Sequence, residues 1–121
     1  MSQGINKVIL IGNLGQDPET RFMPNGKAVT TCSIATSKTV KDRKTGESIE
    51  RTQWHRLVFL NHLAEIAGKH LKQGQQIYVE GEMQTKQWEK DGQKHYSTEV
   101  IASELQIFAG KPSNKPLENA E

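Results

Sequence analysis

The spacing of apolar residues predicts three β-strands in the first half of the chain. Residues 5–14 have an almost continuous apolar centre, which is typical of a strand covered on both faces. Residues 28–36 are rich in β-branched side chains that alternate between two faces, and residues 51–60 form the third strand. Residues 37–50 are polar, so we expect a connecting loop there. Gly12 interrupts the first strand, as glycine does at a bulge or at the bend of a barrel.

The period of the apolar positions changes after the third strand. Apolar side chains at helical spacing predict one helix over residues 63–71, which Asn61 can cap at its start and Gly74 can end. The two-residue period then returns over residues 76–83 and 99–108, which we expect to form two further strands.

The order of these elements predicts the fold class. Residues 90–93, Lys-Asp-Gly-Gln, are a hairpin-turn signal between the last two strands. Five antiparallel strands with one helix after the third are typical of the small Greek-key barrel called the OB-fold. A five-stranded sandwich with an extra helix is the alternative, but it would leave sheet edges to protect. We therefore predict an all-β barrel of the OB type, with its helix between strands 3 and 4.

Composition sets limits on the domain organisation and the compartment. The 121 residues, 34% hydrophobic and 25% charged, suit one folded domain, which we place at residues 1–109. Glycine, proline and polar residues predict a flexible tail over residues 110–121. No run approaches the roughly 18 to 20 apolar residues of a membrane span, and the start lacks a secretory signal pattern. The single cysteine, Cys32, excludes an internal disulfide and fits a reducing cytoplasm.

The sequence lacks the motifs of common catalytic and metal sites. It has no Walker loop, no G-x-S-x-G or H-E-x-x-H motif, and no pair of cysteines for zinc. His62 and His70 fit the polar surface of the predicted helix, and Cys32 fits core packing within a strand. We therefore expect no enzymatic activity, no metal and no cofactor.

Two segments combine cationic side chains with a tryptophan. Residues 37–56 contain six lysines and arginines against three acidic residues, together with Trp54. The second segment has Trp88 between Lys86 and Lys90. The net charge of the whole chain is only +2, so the local grouping of these cations is more informative than their total. A sequence-tolerant binder of single-stranded nucleic acid needs cations along the phosphates and flat rings for the unpaired bases. The alternatives are burial of each tryptophan in the core and a merely solvated loop.

Four short blocks of sequence carry a family resemblance. They are NKVILIGNLGQDPE at residues 6–19, MPNG at 23–26, WHR at 54–56 and IYVEG at 77–81. In this order and spacing they resemble the bacterial-type single-stranded DNA-binding protein family. The similarity runs from about residue 4 to residue 108.

This resemblance implies a protein that coats and protects single-stranded DNA in replication, recombination and repair. It implies a homotetramer of OB-folds in the cytoplasm, associated with the nucleoid. Base stacking is implied for Trp54 and Trp88. Phosphate contacts are implied for five cations, namely Arg56, Lys86, Lys41, Arg43 and Lys44. Subunit contacts are implied for His55 and, on the first strand, for Asn6 and Lys7.

The chain departs from the family pattern in three places. Val40 stands where the proteobacterial pattern has a tryptophan, and Leu60 where it has a phenylalanine, while Phe59 lies on the opposite strand face. Each stacked base contributes about 1 to 3 kcal/mol, so we expect the affinity or site size to differ from the family norm. Residues 116–121 lack the acidic, hydrophobic tip that recruits replication and repair proteins in this family. The sequence is either cut there or a natural short form, such as one from a phage or mobile element.

Two other functions compete with single-stranded DNA binding. An OB-fold primosome accessory protein would use a similar barrel for protein contacts in replication restart, but Trp54 and Trp88 favour DNA stacking. A small enzyme that uses His55 or His62 would need a convergent set of carboxylates, thiols or metal ligands, which the sequence does not indicate. We therefore predict a sequence-tolerant binder of single-stranded DNA.

Overall fold

The computed structural model, which describes residues 3–108, contains six strands and one helix. The elements are β1 (Val8–Leu14), β2 (Glu19–Phe22), β3 (Ala28–Lys41), β4 (Ser48–Leu60), α1 (Asn61–His70), β5 (Gln76–Lys90) and β6 (Gln93–Ile107). The predicted tail and the domain boundary at residue 109 lie outside the described residues. In the described part of the chain, no helix is long and apolar enough to cross a membrane.

Five of the strands close into a barrel. Neighbouring strands follow the order β1-β5-β6-β4-β3, and β3 returns to β1 where Ala35 and Ile34 pair with Asn13 and Leu14. The short β2 stands outside this ring, on the first part of the same edge of β3. Where β1 and β3 meet, closure pairs backbone groups that an open sheet would expose. The predicted all-β OB-fold barrel with one helix is confirmed.

Two details of the topology differ from the prediction. The helix lies between β4 and β5, whereas it is predicted between strands 3 and 4. The numbering differs by one because the exposed strand β2 has no apolar pattern and is not predicted; among the barrel strands the helix still follows the third. The strands were expected to be antiparallel throughout, but β4 and β6 run parallel where Leu57 pairs with Val100. A closed ring with an odd number of strands cannot alternate direction at every step, so one parallel pair is required.

Both long hairpins extend beyond the predicted strands. The connection expected at residues 37–50 is mostly strand, and its loop shrinks to residues 42–47, where Gly46 has a φ of 77°. The Gly46 N–H donates to the Asp42 carbonyl oxygen at 2.7 Å. Residues on both faces of these arms are exposed, so no apolar alternation marks them in the sequence.

The turn between β5 and β6 agrees with the prediction. Asp91 and Gly92 have φ values of 54° and 78°, which a two-residue hairpin turn with two left-handed positions requires. Lys90 therefore pairs with Gln93, and the register continues down the hairpin to Met83 and Val100. This register fixes which side chains of the two strands become neighbours.

The core fills the barrel and continues under α1. Ile34, Leu57, Phe59, Ile77 and Val79 are completely buried and form its centre, and each comes from a position of the two-residue period. The helix buries Ala64 and Ala67 against this cluster. These side chains account for most of the apolar positions from which β3, β4, β5 and the helix are predicted.

The ends of the helix differ from the predicted ones. Leu60 is the N-cap residue and makes no side-chain cap, while Asn61 is the first helical residue, with a φ of 57°. The predicted cap by Asn61 is therefore wrong. The helix ends at His70, before Gly74, whose N–H instead donates to the Leu14 carbonyl oxygen at 2.9 Å.

The bend of the first strand has a steric cause at Gly12. A Cβ at this position would lie 2.5 Å from the carbonyl oxygen of Ala35, because β1, still paired with β5, begins to pair with β3 at the next residue, Asn13. The irregularity of register lies elsewhere, between Glu80 and Gly81. Of the two interpretations of Gly12, the structure therefore supports the bend.

Candidate nucleic-acid interface

Strand β4 presents Trp54 on the outside of the barrel. Alternation along the strand turns Leu57 into the core and leaves Trp54 and Arg56 outside. Trp54 is 60% exposed. Its ring lies over Gly15, where an added Cβ would be only 2.5 Å from Cζ3 of the indole. The glycine thus lets the ring lie close to the backbone after β1, and Trp54 is not a core residue.

The β5–β6 hairpin presents Trp88. Its ring stacks on His95, the residue directly opposite on β6, with centroids 5.6 Å apart and an interplanar angle of 21°. Trp88 remains 47% exposed. The contact supports one side of the indole and leaves much of the ring to solvent. This role of His95 is not predicted from the sequence, although counting outward from the Asp91–Gly92 turn places it opposite Trp88.

A buried carboxylate joins two of the predicted phosphate-binding cations. Arg56 Nε donates to Glu99 Oε2 at 2.8 Å, and Lys86 Nζ lies 3.4 Å from Glu99 Oε1. The Glu99 side chain is 5% exposed, against 47% for Arg56 and 58% for Lys86. Glu99 is not predicted from the sequence, because an acidic residue at the start of an apolar strand carries no distinctive signal.

These contacts place both tryptophans on one continuous surface. Trp54 and Arg56 share a face of β4, and Lys86 and Trp88 share a face of β5, because they are two residues apart. Glu99 of β6 touches the cation on each of these strands. We call the surface formed by Trp54, Arg56, Glu99, Lys86 and Trp88 the tryptophan face.

The remaining predicted cations extend from this face along the β3–β4 hairpin. Lys41 ends β3 and shares the strand face of Ala35, the cross-strand partner of Trp54. Arg43 and Lys44 lie in the exposed loop, which Asp42 orders by accepting the Lys44 N–H at 2.9 Å. None of the salt bridges within residues 3–108 involves these three cations, namely Lys41, Arg43 and Lys44.

The positions at which this chain departs from the family pattern, Val40 and Leu60, contribute no aromatic ring to the tryptophan face, and neither does Phe59. Phe59 is completely buried in the core, and Leu60 is partly exposed. Val40 is half-buried near the end of β3. The neighbouring positions Phe59 and Leu60 thus point to opposite sides, as their alternation predicts.

The residues predicted at subunit contacts lie on two parts of the barrel. The Asn6 side chain pairs with the Met83 backbone, with Nδ2 donating at 2.8 Å and Oδ1 accepting at 2.9 Å. Lys7 Nζ lies 3.5 Å from Glu80 Oε1. His55 Nε2 is hydrogen-bonded to Thr36 Oγ1 at 2.9 Å. Their role between subunits stays a prediction.

The outer side of β1 and β5 is apolar and carries a tyrosine–carboxylate pair. Ile9 and Ile11 are 55% and 49% exposed, although the apolar run of β1 predicts cover on both faces. Beside them the Tyr78 hydroxyl donates to Glu80 Oε2 at 2.5 Å. This hydrogen bond raises the pKa of Tyr78 and lowers the pKa of Glu80 from their ordinary values.

The described residues contain no metal-binding cluster, and their one cysteine is buried. No group of three or more His, Cys, Asp or Glu side chains within residues 3–108 could hold a metal ion. Burial raises the pKa of the Cys32 thiol to about 12, so the nucleophilic thiolate is scarce at neutral pH. Cys32 packs in the core cluster, as predicted.

Known proteins match this chain both in sequence and in structure. The model of the single-strand binding protein family matches residues 5–108. The structure of an SSB from Plasmodium falciparum in complex with ssDNA is similar, with a TM-score of 0.81 and 32% identity over 89% of this chain and 98% of that one. A deletion variant of the single-stranded DNA binding protein from Thermus aquaticus is 36% identical, with a TM-score of 0.78, over 91% of this chain. The match spans about half, 53%, of the Thermus chain.

Proposed function

The chain belongs to the single-strand binding protein family, and on that premise we propose that it binds single-stranded DNA with little dependence on base sequence. The observation that carries this proposal is the tryptophan face. It sets two exposed indoles at either side of a cluster of cations. Rings that stack on any base and cations that follow the phosphates together form the usual surface for an unpaired strand.

In this proposal, Trp54 and Trp88 are the stacking platforms. Both are exposed before DNA arrives, so binding uncovers no core and needs no rearrangement of the barrel. The stack on His95 already restricts the orientation of the Trp88 ring. A ring held in place loses less conformational freedom when a base stacks on it, which favours binding.

Phosphate contacts come from two groups of cations. Arg56 uses Nε for Glu99, and its Nη atoms make no hydrogen bond to another residue within 3–108, so they are available to a phosphate. Lys86 lies on the same face. The exposed Lys41, Arg43 and Lys44 extend the positive surface along the hairpin arm.

We propose that the protein acts as a homotetramer, with His55, Asn6 and Lys7 near subunit contacts. Residues 8–12 of β1 pair with β5 along one edge, and along the other edge no strand pairs with them within the described residues. The exposed Ile9 and Ile11 lie on the same strand. A free strand edge beside apolar side chains favours association with a second copy.

The biological role that follows is to coat and protect single-stranded DNA during replication, recombination and repair. Such a protein acts by binding rather than by catalysis, and it works in the cytoplasm, at the nucleoid. Replication and repair proteins are its expected neighbours on that DNA. The chemistry of the tryptophan face needs no metal or cofactor for this role.

Titration of tryptophan fluorescence with poly(dT), beside a measurement of molecular mass in solution, tests the proposal. Stacking on Trp54 and Trp88 should quench the emission to saturation, and the mass should be that of a tetramer. Poly(dA) should also bind, whereas duplex DNA should bind far more weakly because its bases are not free to stack. Unchanged emission together with no binding of poly(dT) by anisotropy at low salt would overturn the proposed function.

A further inference from the structure

A buried negative charge lies at the centre of the face that is proposed to meet the phosphates. The Glu99 side chain is almost inaccessible to solvent, yet it contacts both cations of the tryptophan face, Arg56 and Lys86. Two positive charges and one negative charge leave a sum of +1. This inference rests on the proposed function, since the charge balance matters for DNA only if DNA binds there.

We propose that Glu99 is an internal counter-charge that limits how strongly the tryptophan face attracts phosphates. A cation that is already compensated inside the protein releases fewer condensed ions from the DNA when it binds. With Glu99 in place, the cluster neutralises about one phosphate instead of two. For a single strand, each neutralised phosphate adds about 0.7 to the slope of log affinity against log salt. Glu99 therefore makes binding weaker at low salt and less sensitive to salt.

The geometry indicates why the carboxylate stays in place while DNA binds and leaves. Its Oε2 accepts a hydrogen bond from Arg56 Nε at 2.8 Å, and the Glu99 side chain is buried whereas the side chains of both cations are about half exposed. Oε1 has no hydrogen-bond partner within residues 3–108, and the 3.4 Å contact to Lys86 Nζ is electrostatic without good hydrogen-bond geometry. Lys86 is therefore held loosely enough to turn toward a phosphate, while Glu99 stays buried below it.

The matching substitution is Glu99→Gln, which keeps the shape and an acceptor oxygen but removes the charge. We expect the salt slope for an oligo(dT) that occupies one fixed site size to become steeper by about 0.7 per subunit engaged. The variant should bind more tightly than the parent at low salt, and this advantage should shrink about fivefold for each tenfold rise in salt. A carboxylate that only supports the fold would change the melting temperature without this change of slope.

Two controls separate local charge from other effects. Glu65→Gln makes the same change of net charge on the exposed side of α1, and it should keep the parent slope. Lys86→Gln combined with Glu99→Gln returns the cluster to a sum of +1, and it should also restore the parent slope. If Glu99→Gln alone does not fold, Lys86→Gln with and without Glu99→Gln gives the same comparison.

The outcomes distinguish this inference from the proposed function. If the parent protein does not bind oligo(dT) at all, the proposed function fails. If the parent binds but Glu99→Gln has an equal or shallower slope, only the role of Glu99 is wrong. Equal steepening by Glu65→Gln would also overturn it, because the overall charge of the protein would then be responsible.

Discussion

Replacing Trp88 with alanine should weaken binding of single-stranded DNA by about 1 to 3 kcal/mol, which is about 5- to 150-fold in affinity. The magnitude follows from the loss of one stacking platform. Trp88 lies outside the core cluster, so its removal leaves no cavity in the barrel. The fold loses the stack on His95, an aromatic contact of about 0.5 to 1.5 kcal/mol, and should remain folded at room temperature.

The assay is an anisotropy titration of labelled oligo(dT) at several salt concentrations. Stacking depends little on salt, so Trp88→Ala should lower the affinity by a similar factor throughout and leave the slope nearly unchanged. Trp88→Phe keeps a smaller ring and should lie between alanine and the parent. Tyr96→Ala is the matched control, because Tyr96 is exposed on the same hairpin but adjoins His95 on β6 and therefore lies on the other face. The reasoning is refuted if Trp88→Ala binds like the parent, or if Tyr96→Ala weakens binding as much.

Three further predictions concern the hairpin arm, the assembly and the alkaline stability. Lys41→Ala with Arg43→Ala should make the slope of log affinity against log salt shallower by about 1.4 per subunit if both side chains contact phosphates. If the double variant keeps the slope of the parent protein, these two cations do not contact the DNA. His55→Lys places a flexible charge at a predicted subunit contact, so light scattering should show dissociation at sub-micromolar protein; an intact tetramer there would count against that contact. The pKa of Tyr78 is raised above its ordinary value of 10.0 by the bond to Glu80, so this bond stabilises the fold below pH 10 and is lost as the pH rises through the raised pKa. Urea unfolding of the parent should therefore lose more stability than Tyr78→Phe above pH 10, and equal losses would contradict the assignment.

The sequence predicted the parts of the fold that depend on burial. Ile34, Leu57, Phe59 and Val79 lie at positions of the two-residue period, and all are buried in the strands that this period predicts. The outer parts of the hairpins were missed because exposed strands need no apolar alternation, as in β2 and at the ends of β3 and β5. Their strand structure comes from backbone pairing with a neighbouring strand, which leaves no alternation of apolar side chains in the sequence.

The aromatic and cationic residues of the tryptophan face are predicted from the sequence, whereas the two residues that support them, His95 and Glu99, are not. Trp54 and Trp88 stand out because each lies in a polar segment that also carries lysines or arginines, the combination that a binder of unpaired strands needs. His95 and Glu99 act through register and burial, which bring them to Trp88 and to the two cations across strands. That information lies in the pairing of β6 with β5 and with β4, not in the type of the residue itself.

The most direct measurement of the central claim is photocrosslinking with an oligo(dT) that contains 5-iododeoxyuridine, followed by mass spectrometry of the crosslinked peptides. If the strand runs over the tryptophan face, the crosslinks should map to Trp54 and Trp88, and excess unlabelled oligo(dT) should abolish them. Each alanine variant should lose its own crosslink and keep the other. Crosslinks confined to Tyr96 or Phe22, which are exposed elsewhere on the barrel, would contradict the account.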